Sequence, residues 1–337
     1  AGVWLFAREL EGPRAAAVAL GFAAAMRWPL LVGRWMFSAS WLVALMAFAA
    51  AGAVRSLRTG RLAGGLLAGV AAGVALSSYP AAAAVVPLFL AAWGLGAWRD
   101  RGSRRAFLLA AALVAGFSLL QASQLLSRGR PGGRVAETGF WTQVKDPTLG
   151  RRGGTADLLG RLAVSTRRCL GVFLWTPDPV ALHGLPDAAP LTPLAGGMAL
   201  TGLALLAVRA RRGERTASIP LGLVAGAMAC GILSNPTGAP GTLRMSVLVV
   251  PAAVAAGAAT AAIVAWLAPR GVRPAVAFGL VAALLLTFET LPLFAVWPWR
   301  PDVRRAIVAA ETEVGRRLGR LAPGPAVREP GALDSPP

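Results

Sequence analysis

Apolar runs of roughly 18 residues recur along this chain, each about the length needed to cross a bilayer as a helix. They read as spans at 15–33, 36–54, 62–78, 81–98, 106–126, 190–208, 219–234, 245–267 and 274–296, with 1–7 as the tail of an earlier span. Helices of this composition have no polar face to turn to water, which excludes a soluble helical protein. Charge agrees: 15% of the 337 residues are charged, against about 25% in soluble domains. The expected fold is all-α, a polytopic transmembrane helical bundle of about nine full spans plus a partial first one, over residues 1–296. Gly- and Ala-rich stretches such as LAGGLLAGVAAGVAL suit close helix packing, and GGLLAG has small-xxx-small spacing.

Direction follows from the short loops. One set carries Arg8 and Arg14; Arg55, Arg58 and Arg61; Arg99, Arg101, Arg104 and Arg105; Arg209, Arg211, Arg212 and Arg215; Arg270 and Arg273. The alternate set, 27–34, the turn at Tyr79–Pro80 and 235–244, holds three arginines. The first set is expected on the cytoplasmic side. The protein is then a multi-pass component of a bacterial inner or plasma membrane with its C-terminus outside. Trp28, Trp35, Trp297 and Trp299 mark the outer interface, and Trp98 and Trp266 the inner one.

The formal charge of +19 does not indicate nucleic acid, because the arginines flank apolar runs and form no single basic stripe. Cys169 and Cys230 lack metal or redox spacing. No His- or carboxylate-rich cluster suggests a metal site, and no cofactor is implied. The chain opens inside an apolar segment, AGVWLF, so an N-terminal part is expected to precede it.

Two longer segments lie on the outer side in this reading. The loop 127–189 contains TADLLGRLAVSTRRCLGVFLW, an expected amphipathic helix over 155–175 with Thr155 or Asp157 as N-cap. It lies flat on the membrane or packs on the protein. Cys169 is then open to a membrane-impermeant thiol reagent if the helix leaves it exposed. After Trp299, residues 297–321 read as a mixed-charge outer helix and 322–337 as a disordered tail.

Several stretches, in order, resemble the membrane glycosyltransferases of the GT-C class, specifically the family 39-like group of protein O-mannosyltransferases and aminoarabinose transferases. LFARELEGPRAAAVALGFAAAMRWPLLVGR resembles a hairpin ending in an outer arginine. RLAGGLLAGVAAGVALSSYPAAAAVVPLFL resembles the Gly-rich span, Tyr-containing turn and Pro-marked return. FLWTPDPVALHGLPDAAPLTPLAGGMALTGLALLAVR resembles the end of the large outer loop, GTLRMSVLVVPAAVAAG the arginine-plus-proline entry, and LFAVWPWRPDVRRAIVAAETEVGRRL the exit into an outer helix. Order and loop lengths carry the likeness.

The resemblance implies transfer of a sugar from a polyprenyl-phosphate donor to a lipid, glycan or protein acceptor on the outer face. It also implies that the family's catalytic acid lies upstream of residue 1, so no catalytic residue is assigned here and this chain alone is expected to be inactive. Membrane lipids are the remaining partners, and no nucleic acid is implied. A transporter or flippase for a lipid-linked or polar substrate, or a non-catalytic membrane subunit, stands as the alternative.

Such chemistry needs cations for the lipid phosphate, and arginine grips phosphate bidentately. Arg244 and Arg34 edge apolar spans on the outer side and are the donor-phosphate candidates, or interfacial arginines snorkelling to headgroups. Glu289, in LLLTFETLPLF, is an acid in the outer half of the last span, either site-lining or held in a structural ion pair. Tyr79 lines the site or belongs to the aromatic belt. Asp178 and His183 line a sugar or acceptor site or belong to a solvated loop.

Overall fold

The computed structural model describes residues 1–34, 38–127, 155–178, 188–233, 240–295 and 299–301. Among them the chain is helical, with no strand. The helices are α1 (Gly2–Glu11), α2 (Pro13–Ala25), α3 (Arg27–Arg34), α4 (Ser38–Thr59), α5 (Leu62–Ser78), α6 (Ala82–Ala97) and α7 (Arg101–Ser127). Further along come α8 (Thr155–Leu170), α9 (Pro193–Arg211), α10 (Ser218–Ile232), α11 (Val249–Leu267) and α12 (Pro274–Leu285). A π-helical turn (Leu286–Thr290) joins α12 to α13 (Leu291–Ala295). The expected helix at 302–321 and tail at 322–337 lie outside the described residues.

Each apolar run is helical over nearly all of its described residues, but the helices differ in length. Five are long and apolar enough to cross a membrane: Ala39–Thr59, Arg101–Ser123, Pro193–Arg211, Arg215–Ile232 and Ser246–Arg270. Pro13–Ala25, Leu62–Ser78, Ala82–Ala97 and Pro274–Thr290 are apolar but shorter. The protein is embedded in a membrane.

Inside a bilayer, apolar burial gains little over contact with lipid, so close packing must hold helices together. Here α5 lies between α4 and α7. A Cβ on Gly64 would stand 2.7 Å from the Gly52 carbonyl of α4, and one on Gly69 would stand 2.6 Å from Ala110 Cα of α7. Gly65 and Gly73 meet α7 on the same flank, one turn before and after Gly69. The small-residue spacing thus brings α5 backbone-close to two neighbours. In the other half, α11 is the central post, packed against α2 and α9, while α6 packs on α10.

The arginine loops gather at one end. Arg58 donates to the Glu9 carbonyl at 2.5 Å. Arg209 pairs with Glu11 and, at 2.5 Å, with Glu214. Gly60 abuts Gly102, and Gly96 abuts Arg215. Asp100 caps α7 by accepting the Ser103 amide at 2.8 Å. That cap starts α7 at Arg101, five residues before its apolar run.

The expected single span 15–33 is corrected: it is two helices. Pro29 has no N–H to give the Ala25 carbonyl, four residues back, and its ring crowds that carbonyl. Met26 turns extended (ψ 130°) and α3 starts afresh at Arg27. The Ala25 carbonyl instead accepts the Thr290 hydroxyl at 3.2 Å.

Candidate functional site

Two polar clusters form at the end opposite the arginine loops. The first is built where helices break. The π turn widens the chain at Glu289, just before Pro292, and turns such as this recur at functional sites. Glu289 is fully buried. Its Oε1 accepts the Thr192 amide at 2.9 Å and the Thr192 hydroxyl, and its Oε2 accepts the Arg27 amide at 3.3 Å. Thr192 is also the N-cap of α9, where its hydroxyl oxygen accepts the Ala195 amide at 3.2 Å. The Arg27 guanidinium, buried beside Glu289, donates Nη2 to the Ala189 carbonyl at 2.6 Å. One carboxylate thereby ties the start of α3, the segment that leads into α9 and the turn before the last helix.

The second cluster surrounds Arg244. Gly241 takes φ 56°, a left-handed value suited to glycine, and its carbonyl accepts the Arg244 and Met245 amides at 2.8 and 3.1 Å. Asp178, buried at the end of the described segment 155–178, accepts the Thr242 amide at 2.8 Å and the Thr242 hydroxyl. The turn carrying Arg244 is therefore pinned to that segment. Arg244 is half-buried, its charge reaches the Cys230 thiol on α10, and no side-chain partner engages its guanidinium among the described residues. Cys230 in turn donates to the Ala81 carbonyl at 3.1 Å, which places the Tyr79 turn beside this cluster.

Three more polar atoms near this end are buried without hydrogen-bond partners among the described residues: Arg27 Nε, Trp28 Nε1 and Ser246 Oγ. The segments that carry them touch. Arg244, Arg27 and Trp28 thus leave N–H donors without acceptors.

Of the sequence candidates, Arg244, Asp178 and Tyr79 come together, while Glu289 belongs to the first cluster. Asp178 is buried and bonded, which corrects the solvated-loop alternative. Arg34 ends α3, and nothing is described of its side chain; His183 lies outside the described residues. Trp28 is fully buried and does not mark an interface. Cys169, expected to be open to reagents if α8 left it exposed, is fully buried against Gly231 of α10. Burial pushes its thiol up to about 12. The helix α8 packs on the protein through this face and leaves Leu159, Val164 and Leu170 exposed. Sequence reasoning missed Arg27 and Thr192. Pro29 was the available signal for the first; Thr-Pro at the start of an apolar run was the signal for the second.

Among the described residues no group of three or more His, Cys, Asp or Glu is placed to hold a metal. No family model, curated protein or solved structure matches the chain.

Proposed function

We propose that this chain is the membrane body of a GT-C-like glycosyltransferase that binds a polyprenyl-phosphate sugar donor at the end opposite the arginine loops. By the positive-inside bias that end is extracytoplasmic, and the nine apolar helices all span. The observation that carries the reading is Arg244: a half-buried guanidinium without a side-chain partner among the described residues, on a turn fixed by Asp178 and Gly241, just before an apolar helix. A phosphate would supply an acceptor, and the bilayer around the bundle would hold the lipid tail. Arg27 Nε and Trp28 Nε1 extend the supply of donors.

The chain's own carboxylates support a binding role. Glu289 and Asp178 are both taken up as acceptors of amides and hydroxyls. Neither stands ready as a base.

A second reading, a transporter or flippase, draws on the first cluster. Discontinuous helices around buried polar residues are how transporters build their sites. A third, a non-catalytic subunit, shares the anion site but not the transfer.

The test is binding of undecaprenyl phosphate to the chain in nanodiscs. A charge-assisted contact is worth about 1.5–3 kcal/mol, so Arg244→Ala should weaken binding by roughly one to two orders of magnitude. Arg244→Lys should recover part, because an ammonium cannot replace the planar fork. Arg211→Ala, at the arginine-rich end, should change nothing. Wild-type affinity in Arg244→Ala removes the phosphate role and leaves a snorkelling arginine.

A further inference from the structure

A groove of 770 Å³ runs between α2 and α12. Its walls are apolar, formed by Val18, Gly21, Phe278 and Val281 among others, and Arg14 stands at one end. That end is the arginine-rich one. The other end is closed where Thr290 donates to the Ala25 carbonyl, directly beneath the Glu289 knot. From Arg14 to Ala25 is 11 residues of α2, or about 16 Å at 1.5 Å per residue. Half the hydrocarbon core of a bilayer is about 15 Å. The groove is therefore about as long as one leaflet is deep, is open along its side, and reaches the arginine-rich end at Arg14.

The mouth carries positive charge that is not compensated among the described residues. Arg14 is exposed and has no partner among the described residues. Arg273 is exposed and lies immediately before Pro274, which lines the same groove. Basic pockets between transmembrane helices suit anionic headgroups.

We propose that this groove is a resident-lipid site for an anionic glycerophospholipid of the leaflet at the arginine-rich end. One acyl chain lies between α2 and α12 and the phosphate sits at Arg14. The site is separate from the one around Arg244: neither Arg244 nor Asp178, Thr242 or Cys230 lines the groove.

The open wall at Gly21 makes the test specific. A Cβ there meets nothing within 4 Å, so a larger side chain fills the groove without disturbing a neighbour. The chain is purified in mild detergent, and retention of dioleoylphosphatidylglycerol and dioleoylphosphatidylcholine is compared by native mass spectrometry. Wild type should retain one phosphatidylglycerol, preferred by about 5-fold or more, the contribution of one arginine near a surface. Arg14→Gln together with Arg273→Gln should erase the preference but still take up a lipid. Gly21→Leu should abolish retention of either lipid. Ala17→Leu, at an exposed position on the same wall, repeats that reading should the first variant fold poorly. Arg244→Ala should retain phosphatidylglycerol as wild type does, so the two sites fail separately. Equal retention of the two lipids by wild type, or lipid retained by both filled variants, overturns the proposal. Displacement of phosphatidylglycerol from this groove by undecaprenyl phosphate does so as well.

Discussion

Replacing Thr192 by valine keeps the volume and removes one hydroxyl that serves two segments at once. That hydroxyl donates to Glu289 and accepts the Ala195 amide as the N-cap of α9. Loss of the cap costs about 1 kcal/mol. A hydroxyl–carboxylate bond is worth about 1.5–3 kcal/mol in water-soluble proteins. Side-chain hydrogen bonds between membrane helices measure nearer 0.6, and at most about 1.7, because the unfolded chain in the membrane also finds partners. We take about 1 for this bond, since its acceptor is charged and fully buried. The sum is about 2 kcal/mol, or roughly 30-fold in the folding equilibrium. Thr192→Ser keeps the hydroxyl and should cost about 0.5 kcal/mol or less. The assay is reversible unfolding in mixed micelles, followed by tryptophan fluorescence. Thr192→Val and Glu289→Ala should also be strongly non-additive, because each removes the same bond. The reasoning fails if serine costs as much as valine, or if the two substitutions simply add.

Two further outcomes follow from the arginine-rich end and from the cysteines. Hydrogen bonds from Arg209 hold the Glu214 carboxyl below its usual 4.5, so its stabilisation is complete above that value and is lost as pH falls through the depressed one. Burial outweighs Arg209 at Glu11 and raises that carboxyl, so Glu11 contributes at low pH and loses as pH rises. Glu214→Gln should therefore lower the melting temperature at neutral pH, with the difference closing in acid, whereas Glu11→Gln should cost nothing at neutral pH. For topology, neither Cys169 nor Cys230 should react with an impermeant maleimide in the folded protein, both being buried. In a cysteine-free background, thiols placed at Leu159 and at Arg211 should label from opposite faces; labelling from the same face would refute the alternation.

The apolar runs were readable because hydropathy over a span-length window is a sum over many residues. Their interruptions were less so, because each depends on one residue and a distant partner. Pro29 could have been read as a break within 15–33, but nothing near it in sequence says that Thr290 takes the freed Ala25 carbonyl. Glu289 was conspicuous as an acid in an apolar run, whereas Thr192, 97 residues away, gave no sign of being its donor. Arg244 was found by its isolation. Asp178 was found too, but its burial follows from Thr242 across 64 residues and has no local signal.

The unequal helix lengths bear on how this protein is made. A segment leaves the insertion machinery for lipid by itself only if it is long and apolar enough, as five of these helices are. The shorter ones each lie against a long one: α5 against α4 and α7, α6 against α10, and α2 and α12 against α11. The contact surfaces of the finished bundle thus also supply an order of biogenesis, in which a long helix shelters its short neighbour during entry. For α2 and α12 that shelter is synthesised in the middle: α2 emerges more than two hundred residues before α11, and α12 just after it. The helix α2 must therefore wait, incompletely settled, until nearly the whole bundle has been made.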